Sequence, residues 1–111
     1  MLLLHEPAGA FEHISADEAQ AIILRYTNWA ESLAAKGHLR GGNKLQDGTG
    51  RTLRQNSGKL NITDGPYSET KEVVGGYFLI EAANYDEAVT LASDCPHLAF
   101  GAVELREVEP T

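Results

Sequence analysis

A long apolar stripe in the first third of the chain restricts the possible folds more than any other feature of the sequence. Its members recur at steps of three and four residues, namely Ala19, Ile22, Ile23, Tyr26, Trp29, Ala30, Leu33 and Ala34. Ser15 and Glu18 have the spacing of a capping box, and Gly37 suits the position just after a helix. The pattern predicts an amphipathic helix between Ser15 and Gly37, with Tyr26 and Trp29 on its buried face.

Strand patterns lie on both sides of this helix. The first predicted strand starts with Leu2, Leu3 and Leu4 and ends by Pro7. The other predicted strands cover residues 39–45, 51–55, 59–63, 73–83 and 100–108, and a second helix starts at Asn84 and ends before Pro96. The third and fourth strands alternate apolar and polar residues around a turn at 56–58, which predicts a hairpin with one half-buried face. Gly75 and Gly76 predict a bulge or a close backbone approach in the fifth strand.

The order of these elements predicts the fold class. Two strand–helix–strand crossovers around one sheet are typical of an α+β, ferredoxin-like βαβ(ββ)βαβ sandwich, here with an inserted β-hairpin. Both helices then pack on one face of the sheet, and the other face is uncovered in a single chain. Because a partly apolar sheet face is usually buried, we expect a homodimer.

Composition and charge indicate one cytoplasmic domain over residues 1–111. No run of about 18 apolar residues is present to span a membrane. The N-terminal residues become acidic too soon for a signal peptide, and the single cysteine, Cys95, excludes an internal disulfide and fits a reducing compartment.

A formal net charge of −7 argues against nucleic-acid binding. Basic residues predominate between Lys36 and Lys59, a pattern that fits either a solvated hairpin or a site for an anionic ligand or an acidic partner.

The segment Asp64-Gly65-Pro66-Tyr67, with Glu69 and Lys71 close behind it, is the main candidate for a functional site. Gly65 and Pro66 predict a tight turn. Asp64 and Glu69 are predicted to form a catalytic carboxylate pair that divides the roles of acid and base. The alternative is that Asp64 only forms the turn and that Glu69 is a solvated acid. Lys71 is a candidate for binding an anionic ligand group or for pairing with either carboxylate.

Three more candidates are predicted to lie on the uncovered face of the sheet. Glu104 and Arg106 alternate with the inward residues of the last strand, and His5 faces the same side from the first strand. We predict that His5, Glu104 and Arg106 contact a ligand, with proton transfer as a natural role for the imidazole. A salt bridge and an ordinary histidine hydrogen bond are the structural alternatives.

The remaining ionisable residues do not predict a metal or a cofactor. The four histidines, His5, His13, His38 and His97, have no spacing typical of metal ligands. The sequence lacks the glycine patterns of nucleotide-binding loops. His97 is interpreted as a residue that caps carbonyl groups at a helix end, and Cys95 as a buried structural thiol.

Several motifs, taken in order, resemble one family. They are Asp64-Gly65-Pro66-Tyr67, Glu69-Thr70-Lys71-Glu72, Gly75-Gly76-Tyr77, Cys95-Pro96 and Val103-Glu104-Leu105-Arg106. The chain resembles the bacterial DGPF-domain proteins of the YCII-related group, with Tyr67 where Phe is usual. The resemblance implies a dimeric α+β barrel, in which two four-stranded sheets close face to face.

The resemblance implies less about activity. One relative in the group is a dehydrochlorinase of chlorinated aromatics, and some members are encoded beside alternative sigma factors. A His–Asp pair has been proposed as catalytic in the YCII branch, with the His on the first helix. This chain has Tyr26 and Asn28 in that region and no His, so the pair is not carried over.

We therefore predict a small-molecule pocket between the sheet and a loop that performs cofactor-free acid–base chemistry of the elimination or isomerisation type. Its predicted lining is Asp64, Glu69, Lys71 and Glu104. The alternative is a non-catalytic ligand-binding or regulatory module, linked to an alternative sigma factor. The expected partners are a second copy of the chain and a small molecule.

Overall fold

The computed structural model describes residues 1–65 and 71–110 and contains six strands, two α-helices and one 3₁₀ helix. In chain order they are β1 (Leu2–Pro7), α1 (Ala16–Ala35), β2 (Leu39–Lys44), β3 (Arg51–Asn56), β4 (Lys59–Asp64), β5 (Glu72–Ile80), α2 (Tyr85–Ala92), the 3₁₀ helix (Pro96–Ala99) and β6 (Ala102–Leu105). Pro66 and Tyr67 of the turn motif lie outside the described residues.

Four strands form one sheet in the order β2-β5-β1-β6, and every neighbouring pair is antiparallel. The crossovers β1-α1-β2 and β5-α2-β6 each skip one position in this sheet, which is the ferredoxin-like arrangement. The predicted α+β ferredoxin-like fold is thus confirmed. β3 and β4 form a separate two-stranded hairpin inserted between β2 and β5.

Helix α1 forms where the apolar stripe predicts it. The Ser15 hydroxyl accepts a hydrogen bond from the Glu18 amide at 3.1 Å, and Gly37 follows the helix with a φ of +81°. Trp29 and Leu33 are buried by packing against the sheet. The Trp29 ring meets Phe78 of β5 edge-on at 5.1 Å between centroids.

The core lies between the two helices and one face of the sheet. It consists of Leu2, Leu4, Trp29, Leu33, Ala92 and Cys95, all buried. Because side chains alternate along a strand, Leu2 and Leu4 point to this face while Leu3 and His5 point to the other. The burial predicted for Trp29 and Cys95 is confirmed.

A bulge interrupts the pairing of β1 with β5, as Gly75 and Gly76 predict. Leu4 pairs with Gly76 and His5 pairs with Val74, so Gly75 is the extra residue. A Cβ atom on Gly75 would overlap the carboxylate of Glu6. The bulge therefore leaves room for the Glu6 side chain beside the backbone of β5.

The hairpin differs from its prediction in one respect. Its turn at Ser57 and Gly58 has two positive φ angles, as in a tight two-residue connection. However, Leu53, Leu60 and Ile62 are each 58–59% exposed, so the expected half-buried face is wrong for the single chain. Apolar and polar residues do alternate along β3 and β4, but no element within the described residues covers the apolar face of the hairpin.

Candidate functional site

The structure brings three of the six predicted site residues together on the uncovered face of the sheet. His5 Nε2 lies 2.8 Å from Glu104 Oε1, and Arg106 Nη1 lies 3.5 Å from Glu104 Oε2. His5 pairs with Ala102 across β1 and β6, so Glu104 is its diagonal neighbour. The hydrogen bond to His5 and the nearby Arg106 guanidinium lower the pKa of the Glu104 carboxyl. The contact of His5, Glu104 and Arg106 with a ligand stays a prediction.

The other predicted residues lie elsewhere or outside the described part of the chain. Asp64 ends β4 with its side chain 92% exposed, and its Oδ1 lies 3.3 Å from the Arg51 Nε. Lys71 is exposed just before β5, and its carbonyl accepts a hydrogen bond from the Ala8 amide. Glu69 lies outside the described residues, so the predicted pair of Asp64 and Glu69 stays a prediction.

A cavity of about 500 Å³ lies on the opposite side of the sheet, and we call it the helix-side cavity. Helix α1 forms one wall with residues such as Ile22 and Tyr26, and strands β1, β2 and β5 form the floor. Phe11 and Ile14, from the loop before α1, contribute to the lining. Most of the surface is apolar, and the volume is in the range that holds a small organic molecule.

Glu6 is the buried acid in this cavity. Its position in β1 continues the inward alternation of Leu2 and Leu4, and only 5% of its surface is exposed. Burial raises the pKa of the Glu6 carboxyl because the charged form loses hydration. The charge of Asp47 acts in the same direction, and that of Lys44 opposes it. A carboxylate with a raised pKa is a stronger base, which favours proton transfer near neutral pH.

Tyr26 and His97 form a hydrogen-bonded pair in the wall of the same cavity. The Tyr26 hydroxyl lies 2.8 Å from His97 Nδ1, and His97 Nε2 lies 2.8 Å from the carbonyl oxygen of His5. Only 1% of His97 is exposed, and burial lowers the pKa of its imidazole. Burial likewise raises the pKa of the Tyr26 phenol, so the hydroxyl stays protonated.

Two charged residues at the cavity neutralise each other. The Lys44 Nζ lies 2.8 Å from the Asp47 Oδ1, and both side chains are 56% exposed. Since this pair has no net charge, Glu6 is the remaining acid of the lining. The electrostatic character of the cavity is therefore acidic.

The sequence patterns missed this site for identifiable reasons. The first strand is predicted to end by Pro7, and Glu6 near its end is given no face or role, although the alternation of residues 2, 4 and 6 was a usable signal. Tyr26 is interpreted as core and His97 as a carbonyl cap, and no local pattern indicates that they touch across 71 positions of sequence. The observed role of His97 is a hydrogen bond to the His5 carbonyl of β1, rather than a cap on its own helix.

The fold and this cavity define a class: a ferredoxin-like α+β domain with an acidic cavity between its first helix and its sheet. The chain belongs to the YCII-related family, since the model of the YCII-related domain matches residues 1–111. It is similar to an uncharacterized protein of Rhizobium meliloti (strain 1021), with 40% identity over 57 residues. That match covers 50% of this chain and 46% of the relative, so the chain spans about half the length of the curated relative.

Two absences within residues 1–65 and 71–110 bear on other kinds of site. No helix in these ranges has the length and apolar character needed to cross a membrane. Within the same ranges, no group of three or more His, Cys, Asp or Glu side chains is arranged to hold a metal ion.

Proposed function

We propose that the helix-side cavity binds a small molecule and that Glu6 acts there as a general base in an elimination or isomerisation. The observation that carries this proposal is a carboxyl group, 5% exposed, in an apolar cavity of about 500 Å³. Burial in such surroundings is how proteins bring the pKa of a carboxyl group toward neutrality for proton transfer. Tyr26 and His97 support the same reading, because they place a fixed polar group in the same cavity.

Ligand binding is tested first, by a thermal-shift screen of neutral one- and two-ring compounds. The Ala19→Phe variant places a ring into the cavity wall, whereas Ala21→Phe places the same ring on the exposed side of α1. We expect compounds that stabilise the wild type to lose their effect with Ala19→Phe and to keep it with Ala21→Phe. A stabilising effect that persists with Ala19→Phe would place the binding site elsewhere.

Proton transfer is tested with the compounds that bind. They are incubated with the protein in D₂O, and NMR follows the replacement of their carbon-bound hydrogens by deuterium. We expect exchange with the wild type and with Glu31→Gln, an exposed control on α1, and none with Glu6→Gln. Binding without any exchange in the wild type would favour the alternative, a non-catalytic ligand-binding or regulatory module.

We also propose that the uncovered sheet face forms a homodimer interface. Leu3, Tyr77 and Leu79 are partly buried on this face, and Val74 is 38% exposed there. Apolar side chains on a face without helices are stabilised when a second sheet covers them. In this arrangement His5, Glu104 and Arg106 line the space between the two sheets, where a ligand contact of the kind predicted from the sequence is available to them.

A further inference from the structure

We infer that the helix-side cavity selects an uncharged or cationic ring compound that donates a hydrogen bond, with the Tyr26 hydroxyl and the Glu6 carboxylate as its acceptors. This inference rests on the proposed function, since it names the chemical class of the molecule bound at that site. It follows from the hydrogen-bond directions around His97 and from the charges in the lining.

The direction of the bond at His97 Nε2 is set by its partner. A backbone carbonyl oxygen only accepts, so Nε2 carries a hydrogen and donates it to the His5 carbonyl at 2.8 Å. The imidazole is almost completely buried, and its desolvation favours the neutral form. A neutral imidazole with a hydrogen on Nε2 has none on Nδ1, so Nδ1 accepts.

The hydroxyl of Tyr26 must therefore donate its hydrogen to His97 Nδ1, across 2.8 Å. A phenol has one hydrogen, and that hydrogen is engaged with His97. The lone pairs of the Tyr26 oxygen remain for any ligand in the cavity that Tyr26 lines. At this position the cavity consequently offers an acceptor and no donor.

The charges in the cavity act in the same direction. Lys44 and Asp47 are paired at 2.8 Å, and Glu6 is the remaining acid of the lining. An anionic ligand would lie in an apolar space beside a carboxylate, which is strongly unfavourable at low dielectric. A neutral donor or a cation satisfies both acceptors instead.

Four probes with one naphthalene body separate these properties. They are 2-naphthol, a neutral donor; 2-methoxynaphthalene, which lacks the donor; 2-naphthylmethylammonium, a cationic donor; and 2-naphthoate, an anion. Dissociation constants are measured by isothermal titration calorimetry at pH 7.5. We expect 2-naphthol and 2-naphthylmethylammonium to bind about tenfold more tightly than 2-methoxynaphthalene, the difference typical of one hydrogen bond, and 2-naphthoate to bind most weakly.

Two variants assign the preference to its residues. Tyr26→Phe removes the acceptor and should reduce the preference for 2-naphthol over 2-methoxynaphthalene to less than about threefold. Glu6→Gln removes the charge and should strengthen the binding of 2-naphthoate. Tyr85→Phe and Glu31→Gln are matched controls outside the cavity and should leave all four constants unchanged. Circular dichroism verifies that each variant is folded.

The outcomes separate the two proposals. If none of the four probes binds the wild type at millimolar concentration, the proposed pocket fails and this inference fails with it. If 2-methoxynaphthalene or 2-naphthoate binds as tightly as 2-naphthol, the pocket stands and the selection for donors is wrong. The selection for donors is also wrong if the Tyr26→Phe variant is folded and keeps the full preference for 2-naphthol over 2-methoxynaphthalene.

Discussion

Glu6, His97 and Glu104 show how the surroundings of a single residue set its ionisation in this fold. Burial raises the pKa of Glu6 and lowers that of His97, because each loses hydration of its charged form. Glu104 responds to a partner instead, and the hydrogen bond from His5 lowers its pKa. The pKa is therefore raised for Glu6 and lowered for Glu104. Each shift makes the free energy of unfolding depend on pH.

The Glu6→Gln variant should change how the stability of the protein depends on pH. Between pH 4.5 and the raised pKa of Glu6, the folded wild type holds a proton that the unfolded chain releases, so its free energy of unfolding falls as the pH rises through this window. Gln does not titrate. We expect the stability of Glu6→Gln relative to wild type to increase from pH 4 to pH 8, as measured by urea denaturation.

Glu104→Gln provides a control with the opposite sign. Glu104 contributes stability above pH 4.5, and this contribution is lost as the pH falls through its lowered pKa. The Glu104→Gln variant should therefore lose stability relative to wild type as the pH rises toward 4.5 and change little above it. A stability difference for Glu6→Gln that does not vary with pH would contradict the burial of its carboxyl group.

Among the contacts between elements, a close backbone approach joins the turn after the 3₁₀ helix to β1. The Gly101 amide donates a hydrogen bond to the His97 carbonyl at 3.0 Å. A Cβ atom on Gly101 would overlap the carbonyl oxygen of His5 and lie 2.9 Å from its carbonyl carbon. That same carbonyl accepts the hydrogen bond from His97 Nε2, so this contact also holds the Tyr26–His97 pair in place.

The Gly101→Ala variant tests this contact. We expect a loss of about 2–3 kcal/mol in the free energy of unfolding, because backbone atoms must move to accept the methyl group. Gly41→Ala in β2 is the matched control, since a Cβ there meets no atom within 4 Å, and its effect should be neutral or slightly stabilising. Urea denaturation measures both, and equal effects would show that the approach of Gly101 to β1 is not close.

Elements also differ in how well their sequences predict them. Helix α1 was predictable because the Ser15 cap, the apolar stripe and Gly37 are local features that agree with each other. The last strand covers Ala102–Leu105 and is shorter than the predicted 100–108. Its predicted start, Phe100 and Gly101, is the turn that follows the 3₁₀ helix, and this helix places His97 against β1.

In the whole molecule, as far as residues 1–65 and 71–110 describe it, the sheet has helices on one face and none on the other. The helix-covered face holds the core and the helix-side cavity. The other face carries partly buried apolar residues beside His5 and Glu104. The hairpin adds Leu53, Leu60 and Ile62, which are exposed in the single chain. In the proposed homodimer, the uncovered sheet faces of the two copies cover each other in one symmetric contact.

The dimer is tested by light scattering coupled to gel filtration at micromolar concentration. We expect a particle of twice the 12.0 kDa chain mass. Leu79→Lys places a charge on the uncovered sheet face and should produce the single-chain mass, because an unpaired buried charge is very unfavourable. Leu24→Lys, at a 58% exposed position of α1, should remain dimeric. A wild-type particle of 12 kDa would rule out the barrel.

The sequence by itself determined the order of the elements, the long helix, the bulge in β5 and the uncovered sheet face. These follow from periodicity and turn chemistry, which act between residues close in the chain. The placement of His5 and Glu104 on one face of the sheet also followed from alternation, whereas their contact did not.

Only the tertiary structure decided that Glu6, Tyr26 and His97 share one cavity. Glu6 and His97 are separated by most of the chain, and Tyr26 reaches His97 only because α1 and the 3₁₀ helix pack over the same end of β1. The sequence pattern alone suggests that a carboxylate in a strand is exposed to solvent. Its burial follows only from the packing of other elements over it. Burial is a property of the assembled fold, and the chemistry proposed for this protein depends on it.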